Sequence, residues 1–582
     1  MDIKDIHSPA DIKKLSLEEL TDVAEQLRAA LMKKLSAHGG HVGPNLGMVE
    51  ATIALHYVFN APEDKLIFDV SHQTYVHKML TGRIQAFLDP AHYDDVTGFT
   101  EPRESEYDLF AIGHTSTSIA LASGMAKARD IMGGKENVVA IIGDGSLSGG
   151  EAFEGLDYAS TLGTNFIVIV NDNNMSIAEN HGGLYADLRL LRNTNGTGEP
   201  NYFRSLGYSY RYVQYGNDLR SLIEAFNDVK DIDHPVVVHI NTMKGMGLPV
   251  AEKDKEAFHF HGPFDLKTGQ SLGDGDNEVD YTDIFSRHML EKMQADPKVV
   301  TLTAGTPGAI GFTPDKRKLA GKQFIDVGIA EEQATGMSSG LAKGGATPVF
   351  GVVSTFLQRT YDQMSQDVCI NNSPATFVVF YGSVYGMNDV THLGFFDIAV
   401  FSNIPNLVYL SPVYKEEYLA MIDWATSQKV HPVIIRTPGG APISKNGEVK
   451  TDYTDCRYEI VESGTDIALI GAGDFFPRAE QASQLLKSKG YNPTLINPLI
   501  LSSLDKECLD SLKDYKVIVT LEDGIIEGGF GEKIASYLGE ASVKVINLGL
   551  PKEFLDRYHV AELVKKCNLE PEQIAHLVEE AL

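Results

Sequence analysis

The stretch IIGDGSLSGGEAFEGLDYASTLGTNFIVIVNDNNMS, residues 141–176, decides the fold. It holds the ends of two apolar runs, VVAIIGDGS and NFIVIVNDNNMS, each stopped by polar residues, with a helix-compatible segment between them. A strand, a helix and a second strand make a parallel pair, and ligands of such sheets bind beyond the carboxyl ends of the strands. Asp144 ends the first run, and Asn171, Asp172, Asn173 and Asn174 end the second. Carboxylate, carboxamide and backbone carbonyl oxygens are a set suited to Mg²⁺, which completes its octahedron with phosphate oxygens and water. Gly143 and Gly145 allow a close backbone approach to phosphate, and the helix that follows offers its positive end. Either piece alone is more often a plain turn or a polar loop. On consecutive strands, together, they predict a Mg²⁺–diphosphate site. No G-x-x-x-x-G-K-[ST] occurs, so a nucleotide P-loop is excluded as the main alternative.

Working outward, the alternation of helices and apolar strands continues. Residues 17–38 have helical apolar spacing and end in GGHVGPNLG; SIALASGMAKARDIM (118–132) is helical and rich in small residues; PVVVHINT (235–242) is a strand. An acidic, glycine-rich stretch, DLKTGQSLGDGDNEVDY (265–281), reads as a linker. The rhythm restarts with VVTLTAG, FIDVGIA, TPVFGVV, ATFVVFYG, NLVYLSP and PVIIRTPGG. A second polar stretch, SKNGEVKTDYTDCRY, precedes a third block. The expectation is an α/β chain of three consecutive domains with mainly parallel sheets, at 1–270, 278–442 and 455–582.

Its 582 residues are too many for one core, and 43% hydrophobic with 22% charged residues is ordinary for a globular protein. A formal charge of −29 argues against nucleic acid or an anionic membrane as partner, although small anions need only a local basic pocket. Four scattered cysteines favour a reducing compartment over a disulfide framework. The N-terminus carries no apolar signal core, and no apolar run approaches the ~20 residues of a membrane helix. A cytoplasmic location is expected.

The Gly-Asp-Gly followed about 28 residues later by Asn-Asn resembles the signature of thiamine diphosphate enzymes. GGHVGPNLG, LIFDVSHQTYVHKMLTGR, ESEYDLFAIGHTSTSIA, AEKDKEAFH, DVGIAEEQA and STFLQRTYDQ, in order along the chain, resemble the 1-deoxy-D-xylulose-5-phosphate synthases, relatives of transketolase. The resemblance implies a transketolase-like fold, thiamine diphosphate and Mg²⁺ as cofactors, and a homodimer. The metal would be held by Asp144, Asn173 and the carbonyl of Met175. His41, His72 and His114 would line the cofactor's reactive end, with Gly113, Thr115, Ser116, Gly145 and Ser146 near the diphosphate. Lys244 and His259 would close the pocket. A lone histidine is more often a surface or satisfied core residue than a catalyst, and His77, His181, His261 and His288 are read as structural or solvent-facing. Glu331 would set its carboxyl against the aminopyrimidine, the competing reading being a solvated glutamate at a helix start. Phe356 would stack on that ring or simply fill the core. His392 falls where the family has an active-site histidine.

The implied reaction releases CO₂ from pyruvate and joins the two-carbon remainder to an aldehyde, so the partners are small molecules. On the acceptor side the chain departs from the family. Tyr381 stands in place of an arginine, Asn388 in place of an aspartate, Val353 in place of a tyrosine, and Gly439 in place of a second arginine. Arg359 and Arg436 remain to meet a phosphate, and with Tyr381 and Asn388 they are the candidate substrate residues. Smaller departures include VSHQ for VGHQ and a short segment after NDNNMSIAEN. Two alternatives therefore stay open: a related carboligase with another donor or an unphosphorylated aldehyde, and a non-catalytic paralogue that binds the cofactor.

Overall fold

The structure is a computed structural model in which residues 1–273, 279–445 and 447–582 are described. The middle of the expected first linker, 274–278, and Asn446 in the second lie outside them. The chain forms two compact units: Met1–Asn277 with Gly328–Ala330, and Glu278–Val327 with Glu331–Leu582.

The first unit is built on five strands: β1 (Lys65–Phe68), β2 (Val138–Gly143), β3 (Phe166–Asp172), β4 (Ser209–Val213) and β5 (Pro235–Asn241). They form one parallel sheet in the order β1-β2-β3-β5-β4. Alternate residues of β2 and β3 serve opposite cores. Val139, Ile141, Ile167 and Ile169 pack on one face, and Val138, Ala140, Ile142, Val168 and Val170 on the other. A sheet buried on both faces needs such continuous apolar strands. Register pairs Gly143 with Asn171 and Asp172 with Asn241, so β2, β3 and β5 end at one level.

The second unit holds two sheets. One is parallel, in the order β10-β11-β9-β8-β6-β7, from β6 (Val299–Thr303), β7 (Phe324–Asp326), β8 (Thr347–Val353), β9 (Thr376–Phe380), β10 (Val408–Leu410) and β11 (Val433–Arg436). The other runs β12-β14-β13-β15-β16, from β12 (Glu459–Glu462), β13 (Ile467–Gly471), β14 (Thr494–Asn497), β15 (Val517–Ile525) and β16 (Lys544–Leu550), with only β12 antiparallel. The sheets number three, as expected, yet the second and third blocks share one compact unit. The reason is a continuous core: Tyr409 and Leu410 of the first of these sheets cluster with Ile470 and Ile496 of the other, and Ser411 N donates to Leu499 O at 2.9 Å. The strand expected over FIDVGIA is short, covering only Phe324–Asp326.

Candidate active site

Asp144 steps off β2 into a tight turn, Asp144–Ser148, ahead of the helix Gly150–Ala159. Its buried carboxylate accepts at Oδ2 from the Met175 amide at 3.0 Å and from Asn180 Nδ2 at 2.7 Å. The loop after β3 is thereby drawn against the tip of β2. The structure sorts the four polar residues at that tip. Asn171 accepts from Thr242. Asp172 is buried between His239, at 2.8 Å, and Arg192. Asn174 accepts from Arg192 at 2.7 Å. Asn173 Oδ1 is buried and has no hydrogen-bond partner.

An acceptor oxygen left unpaired inside a protein marks a missing donor or cation. Here it belongs to an all-oxygen set, which fits Mg²⁺. Among the described residues no three His, Cys, Asp or Glu side chains gather as a metal site, and this set of one carboxylate, one carboxamide and a carbonyl does not require that. Burial, and then the Asp172 carboxylate, push Asp144 up to about 8, the field a divalent cation would reverse. A Cβ on Gly143 would meet nothing within 4 Å, leaving open space at the strand end. Gly145 is different: a Cβ there would lie 2.8 Å from Ser176 Cβ, so protein packing itself demands glycine.

The short segment that follows folds back onto these two strand ends. Asn180 reaches Asp144, Tyr185 Oη donates to the carbonyls of Asp144 and Gly145 at 3.1 and 3.2 Å, and Arg192, on the helix Gly183–Asn193, grips Asp172 and Asn174.

A second group of loops carries Gly113, His114, Thr115 and Ser116. Ser116, in the left-handed region at φ 74°, donates its amide to Asp69 Oδ1 at 2.8 Å and its hydroxyl to Ser146 O at 2.7 Å. Ser118 N donates to the other Asp69 oxygen at 2.9 Å. Asp69, one residue past β1, thus shapes the loop; the sequence reading missed it because it looked like the polar end of a strand. Ser71 also has positive φ, where glycine is at home. Its hydroxyl bonds to Ile112 O and Thr100 N help hold that conformation.

The histidines converge. His41 and His72 ring centroids are 5.0 Å apart, His72 stacks with His259 at 5.2 Å, and His41 lies 5.8 Å from His259. Phe99 and Phe260 flank His41. Lys244 Nζ donates to Ser176 O at 2.6 Å and faces His259 Nδ1 at 3.0 Å. Burial lowers Lys244 to about 7, and burial with the Lys244 charge holds His259 well below its ordinary range. Lys244 therefore ties the histidine cluster to the loop after β3.

Asn45 is the other residue the sequence reading missed. Fully buried, it donates to His41 O at 2.7 Å and His72 O at 2.8 Å and accepts from Tyr75 N at 2.9 Å. Asn45→Ala is expected to cost about 1–3 kcal/mol, since it strands three backbone groups, one buried and two partly buried. Urea titration checks this, and an unchanged midpoint would contradict the role. Of the two readings open for His77, the structure shows the buried one: it lies between His56, at 2.8 Å, and Asp108, at 2.9 Å.

In the second unit, Glu331 opens the helix Glu331–Lys343. It is a helix-starting glutamate but not a solvated one: it is 3% exposed, and its Oε2 has no hydrogen-bond partner. Burial raises it to about 7, against the pull of Arg359. From the ordinary 4.5 up to about 7, the folded chain keeps a proton that the unfolded chain has lost. Stability linked to this group is thus intact below 4.5 and lost as pH rises through 7. Without added cofactor, Glu331→Gln is expected to unfold at higher urea than the parent at about pH 8, and at similar urea at about pH 4. Equal midpoints at the higher pH would contradict this.

Phe356 is half-buried, its ring 5.8 Å from that of His392. Burial lowers His392, and Thr391 Oγ1 lies 2.8 Å from its Nδ1. Tyr381 is half-buried at φ 58° and packs on the core. Two expected substrate residues are otherwise engaged. Arg436 is buried with Nε 2.7 Å from Asp397 Oδ2, Nη1 on Asp523 and Nη2 on the Gly382 carbonyl. It is a core ion pair rather than a free phosphate clamp. Asn388 donates to Tyr558 O at 3.0 Å, and its own carbonyl accepts from Arg557 N at 2.7 Å, so it anchors its loop.

Residues 3–199 match the 1-deoxy-D-xylulose-5-phosphate synthase family, 277–441 the transketolase pyrimidine binding domain, and 457–574 the transketolase C-terminal domain. A 1-deoxy-D-xylulose-5-phosphate synthase of Symbiobacterium thermophilum is 37% identical over 631 aligned residues, covering 100% of this chain and 95% of the relative. The chain belongs to the 1-deoxy-D-xylulose-5-phosphate synthase family. The synthase of Caldanaerobacter subterraneus subsp. tengcongensis is 36% identical, covering 99% of this chain and 98% of its own. Among solved structures, a transketolase from Leishmania mexicana is 15% identical with a TM-score of 0.46, covering 97% of each chain.

Proposed function

We infer that this chain is a transferase that condenses pyruvate with D-glyceraldehyde 3-phosphate, giving 1-deoxy-D-xylulose 5-phosphate and CO₂, with thiamine diphosphate and Mg²⁺ as cofactors. The observation that carries the reading is full-length kinship with named synthases, at 36–37% identity, in a chain that keeps the metal loop. The same kinship disfavours the related carboligase.

Asp144, Asn173 and the Met175 carbonyl would hold Mg²⁺, and Gly145, Ser146, Gly113, Thr115 and Ser116 would bind the diphosphate. When bound, thiamine diphosphate supplies a carbon nucleophile and an electron sink for decarboxylation. Glu331, raised to about 7 by burial, would hold a proton for the aminopyrimidine nitrogen of the bound cofactor, and Phe356 would stack on that ring. His41, His72, His114 and His259 move protons to oxygen as charge develops on the substrates, His392 serves the acceptor, and Lys244 fixes His259.

Among the described residues no helix is long and apolar enough to cross a membrane. All four cysteines are free, which supports a reducing, cytoplasmic compartment. A homodimer is proposed from the family resemblance, and light scattering on the purified chain tests it.

The test is an assay of purified protein with pyruvate, Mg²⁺ and thiamine diphosphate, offering glyceraldehyde 3-phosphate or glyceraldehyde and following CO₂ and the new ketose by ¹³C NMR. Product from the phosphorylated aldehyde is expected. Preference for the unphosphorylated one overturns the acceptor assignment.

A further inference from the structure

With Arg436 locked in the core and Arg359 acting on Glu331, the acceptor end of the second unit needs another cation to meet a phosphate. Three loops lie together beyond the carboxyl ends of β9, β11 and β13, the edge at which open parallel sheets bind ligands. Gly439, after β11, donates its amide to Asp474 Oδ2, after β13, at 2.7 Å. A Cβ on Gly439 would lie 2.8 Å from Ser383 Cβ and 3.1 Å from Tyr385 Cβ, both after β9. The loops therefore meet so closely that position 439 has no room for an arginine.

Arg478 reaches the same place from the first turn of the helix Phe476–Ser488. Its Nη2 donates to Tyr385 Oη at 3.1 Å, and its guanidinium lies 5.5 Å from the Phe475 ring centroid. Its Nε is buried without a hydrogen-bond partner, and no carboxylate among the described residues pairs with it. Arg557, by comparison, lies 3.4 Å from Asp556. Asp474 is the nearby adverse charge, with one oxygen directed at the Gly439 amide. A partly buried guanidinium with an unused N–H suits an oxyanion, for which its planar fork donates two parallel bonds. Tyr385 itself is 37% exposed, so the pair faces solvent. The loop that carries Tyr385 runs on to His392, placing anion recognition and the reacting end on one segment.

We propose that Arg478, steadied by Tyr385, binds the phosphate of the aldehyde acceptor and sets the preference for phosphorylated over unphosphorylated aldehydes. This rests on the phosphorylated acceptor inferred above.

Arg478→Ala and Arg478→Lys are assayed with saturating pyruvate against glyceraldehyde 3-phosphate and glyceraldehyde, with inorganic phosphate as a competing probe. Arg478→Ala is expected to raise KM for glyceraldehyde 3-phosphate about 10- to 100-fold with little change in kcat, the worth of charge-assisted hydrogen bonds to one phosphate. KM for glyceraldehyde stays within about twofold, Arg478→Lys is intermediate, and competition by phosphate weakens in parallel. Should the alanine variant not fold, the lysine variant decides by the same ratio of KM values. Equal shifts for both aldehydes, or none, overturn the assignment while leaving the reaction intact. A parent enzyme that forms no ketose from pyruvate overturns the functional reading and this assignment with it.

Discussion

Glu331→Ala is expected to lower turnover about 10²- to 10⁴-fold, the range of a positioned acid–base group, while thiamine diphosphate still binds. Glu331 stands at a helix start where solvation would be ordinary, yet it is 3% exposed and one carboxylate oxygen lacks a partner. Keeping a desolvated carboxyl in the core lowers stability, and Arg359 offsets this only partly, since the group still rises to about 7. A residue there for stability alone would be paired. The affinity for Mg²⁺ and cofactor, measured by calorimetry, should change far less than kcat. Near-parental turnover would remove Glu331 from this role.

Asp144→Ala is expected to fail one step earlier. Its carboxylate organises the metal loop through the Met175 amide and Asn180, and it is the only charged group in the oxygen set proposed for Mg²⁺. Outer partners of metal ligands alone are worth about 10- to 100-fold in affinity, so loss of the carboxylate should weaken Mg²⁺-dependent cofactor binding by at least about 100-fold. Asp144→Asn, which keeps the shape and one oxygen, should fall between. Undiminished titration heats in the alanine variant would show that the metal lies elsewhere.

The parts of this site that were legible in the sequence are those where strand ends coincide with chemistry. Asp144 and Asn173 stand out because an apolar strand stops abruptly at a carboxylate or carboxamide, and parallel register then sets the tips side by side. What the sequence hid depends on contacts across long intervals. Nothing in NDNN says that Asp172 will be taken by Arg192 and His239 while Asn173 is left unpaired; that division needs Arg192, twenty residues on, to fold back. Asn45 and Asp69 are invisible for the same reason, since their partners are backbone groups of other loops. An arginine after a strand is equally suited to a phosphate and to a buried carboxylate pair, and the carboxylates that Arg436 meets, Asp397 and Asp523, lie 39 and 87 residues away. The joining of the second and third blocks into one unit was hidden too, because a polar linker between them says nothing about the shared core of Tyr409, Leu410, Ile470 and Ile496.

The most direct test of the account is crystallographic: the protein with thiamine diphosphate and Mn²⁺ in place of Mg²⁺, the ion being located by its anomalous signal. The account predicts one peak about 2.0–2.3 Å from an Asp144 carboxylate oxygen, Asn173 Oδ1 and the Met175 carbonyl, with the diphosphate completing the shell. A bound cofactor whose metal sits on other residues, with Asn173 Oδ1 still unpaired, would contradict it.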